Sequence, residues 1–217
     1  MLHEILNALE ETLFMVFSAG LLTWIVGLPL GTLLAITGPK KFLAKPLMHR
    51  TLELLIGATQ SLPYIALMVV AIPLTKILVG SAEGCIAAIV PLTLASIPHF
   101  AQLCRKAINR VPAGLTETAQ AIGASPFQIV TKILIPEAIP NIISGLTGTL
   151  IHLLSFSTIA GALGSGGLGG LILHKGYHSF QLEYVLTTVV ILMVLVQLIQ
   201  TCGNYIANGS IHHNSNA

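Results

Sequence analysis

Residues 12–37 read TLFMVFSAGLLTWIVGLPLGTLLAIT, a run without a single Asp, Glu, Lys, Arg or His. A helix needs about 20 mostly apolar residues to cross the ~30 Å hydrocarbon core of a bilayer, and this run exceeds that. It also exceeds the roughly 7–15 apolar residues of a cleavable signal peptide, so an uncleaved first span is expected. Four further runs carry the same signature, at about 52–75, 84–104, 138–163 and 184–206. Of 217 residues, 54% are hydrophobic and 8% charged, with a mean hydropathy of +0.86; a soluble domain carries about 25% charged residues to solvate its surface. The expected fold class is therefore all-α integral membrane. Five transmembrane helices fill 12–206, and a short tail follows at 207–217. Pro29, Pro63, Pro73, Pro91 and Pro98 fall inside these runs, where neighbouring helices can re-satisfy the carbonyls they free. The second and third spans, with two prolines each, are the ones expected to bend.

The basic residues set an orientation. Lys40, Lys41, Lys45 and Arg50 follow the first run, and Arg105, Lys106, Arg110 and Lys132 follow the third. Only Lys76 and Lys175 occupy the other two connections. Cytoplasmic loops carry the excess of Lys and Arg, so the amino terminus is expected outside and the carboxyl terminus inside.

The third connection is the most patterned polar stretch of the chain. Leu115, Ala119 and Ile122 recur at helical spacing, which predicts a short amphipathic helix with Glu117 and Gln120 on its other faces. Gly123 suits a left-handed helix end. Ser125-Pro126-Phe127-Gln128 then reads as a new start: Ser125 caps, Pro126 fits the first turn and Gln128 closes a capping box. Two short capped helices around a glycine bend, over 112–136, form a stiff protrusion that can transmit a displacement.

Here the residues carry a resemblance. Glu117-Thr118-Ala119, Gly123 four positions later, and Ile133-Leu134-Ile135-Pro136 resemble the EAA…G…I-x-L-P signature of binding-protein-dependent ABC importer permeases, departing from it at Thr118 and Ile135. Ser61-Leu62-Pro63-Tyr64, Ile72-Pro73-Leu74, Ala88-Ile89-Val90-Pro91-Leu92-Thr93 and Gly164-Ser165-Gly166-Gly167-Leu168-Gly169 resemble the methionine-type branch of that family (type I fold). Gln60 stands where that branch tends to carry Arg. The resemblance implies a multi-pass permease of the bacterial cytoplasmic (inner) membrane that imports methionine, L- and also D-, or another small amino acid or short peptide. It implies a second copy of the chain, two ATP-binding cassette ATPase subunits inside and a solute-binding protein outside. The segment 112–136 would be the coupling helix, with Ala119 and Gly123 allowing close packing against the ATPase, Glu117 and Thr118 beside them, and Ile133 and Pro136 closing the motif.

The sequence has no G-x-x-x-x-G-K-[ST], the loop whose backbone cradles ATP phosphates. The chain is therefore read as a transport subunit rather than an enzyme, binding no cofactor itself, with ATP and Mg on the partner ATPase. His152 is read as the ionisable residue deep in a span, a position that is a functional candidate by default. With Asn141, Ser155, Ser157 and Thr158 on the same run, it suggests an inward-facing polar helix. His152, Ser155, Gln60 and Ser61 are the candidate pathway or substrate residues. Gln197 and Gln200 read as helix-packing contacts. Gly164-x-Gly166-x-x-Gly169 satisfies a dinucleotide fingerprint by letter, but that motif needs a preceding strand; a tight outer turn is the expectation, either a gate whose glycines let two subunits approach over the pathway or equally a plain turn. His174 and His178 stand four apart in an outer connection and read as a solvated loop. Cys85, Cys104 and Cys202 lack metal or disulfide spacing. No metal site and no nucleic-acid partner are expected.

Two other classes compete. An ion-coupled secondary transporter usually needs membrane-embedded carboxylates and repeated spans, whereas Glu53 and Glu183 sit at span ends. An intramembrane serine protease would have to use His152 and Ser155 from one helix, a poor geometry for acyl transfer.

Overall fold

The computed structural model describes residues 1–39 and 41–214, with side chains as far as Gly209. Lys40, the tail pair His212-His213 as side chains, and the end of the tail lie outside the described residues. Every regular element among the described residues is helical.

Helix α1 (Leu2–Thr37) spans 36 residues, about 54 Å at 1.5 Å per residue. It outreaches the apolar core and carries Glu4, Glu10 and Glu11 on its first turns. It lies along α4 (Cys85–Asn109) because small residues let the two backbones approach. A Cβ at Gly27 would sit 2.8 Å from the Phe100 ring, and one at Gly31 would sit 2.5 Å from the Ala101 carbonyl. Close backbone approach through small residues is the usual way apolar helices gain contact when lipid competes for the same surface.

The second expected span is not one helix. Residues 52–75 fall across α2 (Pro46–Ser61) and α3 (Tyr64–Val79), which meet at 111°. The cause is local: a residue preceding proline is pushed out of the helical region. Leu62 sits at φ −79, ψ 132 and Pro63 at φ −57, ψ 139. By contrast, α4 keeps Pro91 and Pro98 inside one continuous helix. At its far end α2 is tied down by polar contacts. His49 approaches Glu53 at 3.3 Å, Arg105 of α4 pairs with the same carboxylate, and Thr37 of α1 reaches the His49 ring at 3.4 Å.

After α5 (Ala113–Ala121) comes α6 (Pro126–Ile129). The sequence suggests that α6 is a separate short helix ended at Pro136. Instead it runs through a π turn at Val130–Leu134 into α7 (Ile135–Ala160), giving a 40-residue helical run, Pro126–Ser165. The widened turn makes room for Pro136, whose ring would otherwise press on the carbonyl four residues back. Within it the Ile135 N–H donates to the Val130 carbonyl, five residues back. The run ends at a kink where Leu163 and Gly164 leave helical geometry. Then come α8 (Gly167–Leu171), a π-helical stretch at Ile172–His178 and α9 (Leu182–Asn214). Helix α9 therefore continues well past residue 206, where the sequence reading began the tail.

Four helical runs are long and apolar enough to cross a membrane, and the bent α2–α3 pair brings the count to five. Two larger buried clusters hold them together, and a smaller one of Leu34, Ile56 and Ala101 joins α2 to α1 and α4. One, around Phe100, Cys104, Ile129 and Ile142, lies at the α5–α6 end. The other, around Met15, Leu92, Leu153 and Leu154, lies nearer the glycine turn. Exposed apolar side chains such as Phe14, Phe17, Val70, Ile77 and Met193 cover the outside, as expected where lipid is the solvent.

Candidate functional site: a capped knuckle, a polar cleft and a glycine turn

The knuckle is built as a stiff bend. Gly123 takes φ +81, a left-handed conformation that side-chain-bearing residues resist. Its N–H donates to the Gln120 carbonyl at 3.0 Å, and the Ala124 N–H to that of Ala119 at 3.0 Å. The capping box forms in full: the Gln128 N–H donates to Ser125 Oγ at 3.3 Å and the Ser125 N–H to Gln128 Oε1 at 2.9 Å. Four orphan N–H groups open every helix, and this exchange satisfies two positions at the start of α6.

Placement of the signature residues corrects part of the sequence reading. Ala119 is 3% exposed and belongs to the cluster with Ile108, Ile129 and Leu134; its smallness serves packing within the chain. Ile122, read as part of the buried stripe, is 81% exposed, and Phe127 is 76% exposed. Ile122 directly precedes Gly123 and Phe127 follows it by four residues; a Cβ at Gly123 would meet nothing within 4 Å. Glu117 and Thr118 are exposed as well. Ile133 is partly buried against the core, and Pro136 lies in the first turn of α7. Behind the knuckle a cavity of ≈ 420 Å³ is lined by Glu117, Gln120, Asn109 and Lys41. Two uncovered apolar residues flanking a rigid bend are what a docking element shows. Sequence periodicity missed them because Ile122 obeys the helical spacing yet lies past the end of α5.

The cleft joins α4 to α7. His99 and His152 face each other with ring centroids 4.8 Å apart. His152 meets Phe156 edge-on at 5.2 Å, and Phe156 stacks on Tyr64 at 4.2 Å. The two imidazoles are shared by two cavities. One, of ≈ 380 Å³, also has Lys106, Arg110, Asn141 and Ser144 in its wall, with Arg110 donating to Asn141 Oδ1 at 3.0 Å. The other, of ≈ 250 Å³, lies against the α2–α3 bend and includes Gln60 and Tyr64. Buried Tyr64 leaves its hydroxyl without a hydrogen-bond partner. Among the described residues no Asp or Glu lines either cavity.

The structure thus brings Gln60 and His152 together. Ser61 and Ser155 stay apart from both cavities, each hydroxyl donating to a carbonyl of its own helix. His99 was missed: it sits inside the third apolar run, and sequence separation hides its meeting with His152.

At the opposite end from the knuckle, Gly164, Gly166 and Gly167 all have positive φ. The α1 helix holds this turn: Glu11 Oε2 accepts from the Gly167 N–H at 2.6 Å and Thr12 Oγ1 from the Leu168 N–H at 2.9 Å. A Cβ at Gly166 would lie 2.6 Å from the Glu11 carboxylate, and one at Gly169 would collide with the Thr158 backbone. Gly166 and Gly169 therefore serve close approach within the chain, as a tight turn requires. At Gly164 the surroundings are open.

A family model described as the binding-protein-dependent transport system inner membrane component matches residues 27–208. The chain belongs to that family. It is thus a multi-pass inner-membrane permease component, without an ATPase domain in the matched region. A probable D-methionine transport system permease protein MetI of Vibrio cholerae is 43% identical over 200 residues, covering 92% of this chain and 89% of that protein. The D-methionine transport system permease protein MetI of Escherichia coli K12 is 39% identical over 161 residues, 74% of each chain. Among solved structures, an inward-facing conformation of the MetNI methionine ABC transporter superposes with a TM-score of 0.95 at 38% identity, covering 97% of both chains. An amino acid ABC transporter crystallised with histidines shares the fold, with a TM-score of 0.76 at 19% identity.

Proposed function

We propose that this permease imports methionine, moved by ATP that separate ATPase subunits bind and hydrolyse. The relatives named for D-methionine transport and the MetNI structure support the substrate. The observation that carries the mechanism is the helical run from Pro126 up to the kink at Leu163 and Gly164. At about 1.5 Å per residue it spans ~55 Å, with the exposed knuckle at its foot, the His152 cleft along its length and the glycine turn at its tip. Two copies of the chain enclose the path about a two-fold axis, the amino terminus facing outside and the knuckle inside. A solute-binding protein delivers solute at the glycine-turn end.

ATPase closure pushes on Ile122 and Phe127, with Glu117 and Thr118 setting the register beside Gly123. Bistable packed elements pass such shifts on, where a slack loop would absorb them. In the cleft, His99, His152 and Gln60 offer hydrogen bonds to a solute, while the neighbouring Lys106 and Arg110 favour its carboxylate. The absence of acids from the cleft lining argues against ion coupling, which relies on embedded carboxylates. The test is radiolabelled methionine uptake by vesicles carrying the permease with its ATPase and binding protein. Uptake that needs ATP inside and is competed by D- and L-methionine is expected; uptake undiminished without the ATPase would overturn the proposal.

A further inference from the structure

Helix α9 is the least covered of the long apolar runs. Within the chain 6% of its most apolar stretch is buried, against 50% for α4 and 33% for α1. Most of what it buries meets α7: a Cβ at Gly203 would collide with the Thr147 side chain, and Leu192, Leu195, Val196 and Ile199 pack on the cluster around Leu153. The rest of its circumference is not uniform. Gln197, Thr201, Asn204 and Asn208, at steps of four, three and four, fall on one exposed stripe with Gln200 beside it, because residues three and four apart share a helix face. Leu198, Cys202 and Tyr205 expose a separate, mostly apolar face. The sequence reading of Gln197 and Gln200 as packing contacts does not hold within the chain. Thr201 donates to the Gln197 carbonyl at 2.7 Å, but the carboxamides of Gln197, Gln200, Asn204 and Asn208 have no partner among the described residues.

A carboxamide carries two donors and an acceptor, and hydrocarbon tails satisfy neither. We propose that this amide stripe is a contact surface for the same stripe on a second copy of the chain, a reading that rests on the permease pair proposed above. Gln197 and Gln200 lie within the apolar run, beyond the reach of a water-soluble partner, so the cover is another membrane helix. Two copies inserted the same way are related by an axis along the membrane normal, so each residue meets its own counterpart at equal depth. Asn, Gln and Thr are self-complementary in that arrangement, whereas a charged residue would face its like. From Leu182 to Gly209 the only charged residue is Glu183, in the first turn of α9.

The experiment uses the purified permease–ATPase complex with Cys85→Ser and Cys202→Ser, leaving buried Cys104 in place. Single cysteines are introduced as Asn204→Cys and Thr201→Cys on the stripe, and as Leu198→Cys on the neighbouring face. Mild oxidation is expected to give a permease–permease disulfide at 204 and 201, at least tenfold above that at 198. Equal or greater crosslinking at 198 would overturn the proposal. So would stripe cysteines that react with a hydrophilic maleimide without crosslinking, which makes the stripe a water-lined wall. So would stripe cysteines silent in both assays. The molar mass of each complex by light scattering separates the two readings: a single permease per complex sinks the permease pair itself, whereas two permeases without stripe crosslinks sink only this surface.

Discussion

The α2–α3 pair and the α6–α7 run both carry proline where a span is needed, yet one bends by 111° and the other stays helical up to the kink at Leu163 and Gly164. The difference lies in what surrounds the ring. Before Pro63, Leu62 is extended and nothing widens the helix, so the chain turns. Before Pro136, a π turn opens the ladder and the residues on either side stay helical. Burial follows the same division. Helix α2 buries only His49 and Ile56, while the foot of the rod, Ile129, Leu134, Ala138 and Ile142, sits in a shared core. One region bends with little buried behind it, and the other stays helical on a packed foot.

The strongest way to break that contrast is to put slack into the rod. Inserting Gly-Gly after Thr131 should leave ATP hydrolysis running while methionine uptake falls to the vesicle background, measured together in one preparation. Full uptake would mean that the run transmits nothing. Next in size, Gly123→Trp places a bulky residue at φ +81, where left-handed geometry costs roughly 1–2 kcal/mol; uptake should drop about tenfold with the spans still inserted. Gly123→Asn, which tolerates that region, should keep most of the activity, and equal losses for both variants would detach the effect from backbone geometry.

A smaller effect is expected at the hinge. Pro63→Ala restores an N–H and removes the bias on Leu62, so spin labels at the exposed Leu54 and Leu74 should report a broader distance distribution and a bend that opens. An unchanged distribution would assign the bend to packing rather than to proline. Smallest is Ser125→Ala, which removes half the capping box. It should lower stability by about 1 kcal/mol, read as a modest shift of the thermal midpoint, with uptake per folded complex retained.

Much of this architecture was legible in the sequence because lipid leaves few solutions: α1, α4, α7 and α9 follow from uncharged runs alone. The knuckle was legible through chemistry with fixed spacing, the Ser125–Gln128 box and the Gly123 bend. Pro63, Pro91, Pro98 and Pro136 look alike as letters, and only the neighbouring turns decide which of them breaks a helix. Ile122 kept the helical period but fell beyond the end of α5, so a core assignment became an exposed one. His99 with His152, and Glu11 with the Gly167 N–H, join residues far apart in the chain. No local pattern encodes such meetings.

The central claim is that a partner ATPase moves this membrane body by pressing on the knuckle at Ile122 and Phe127. A benzophenone maleimide attached to Phe127→Cys, in the intact complex with Cys85 and Cys202 replaced by Ser, tests it most directly. Illumination is expected to link the permease to the ATPase subunit and to stop methionine uptake in proportion to the linked fraction. Linkage to lipid alone, or full uptake by the linked complex, would contradict it.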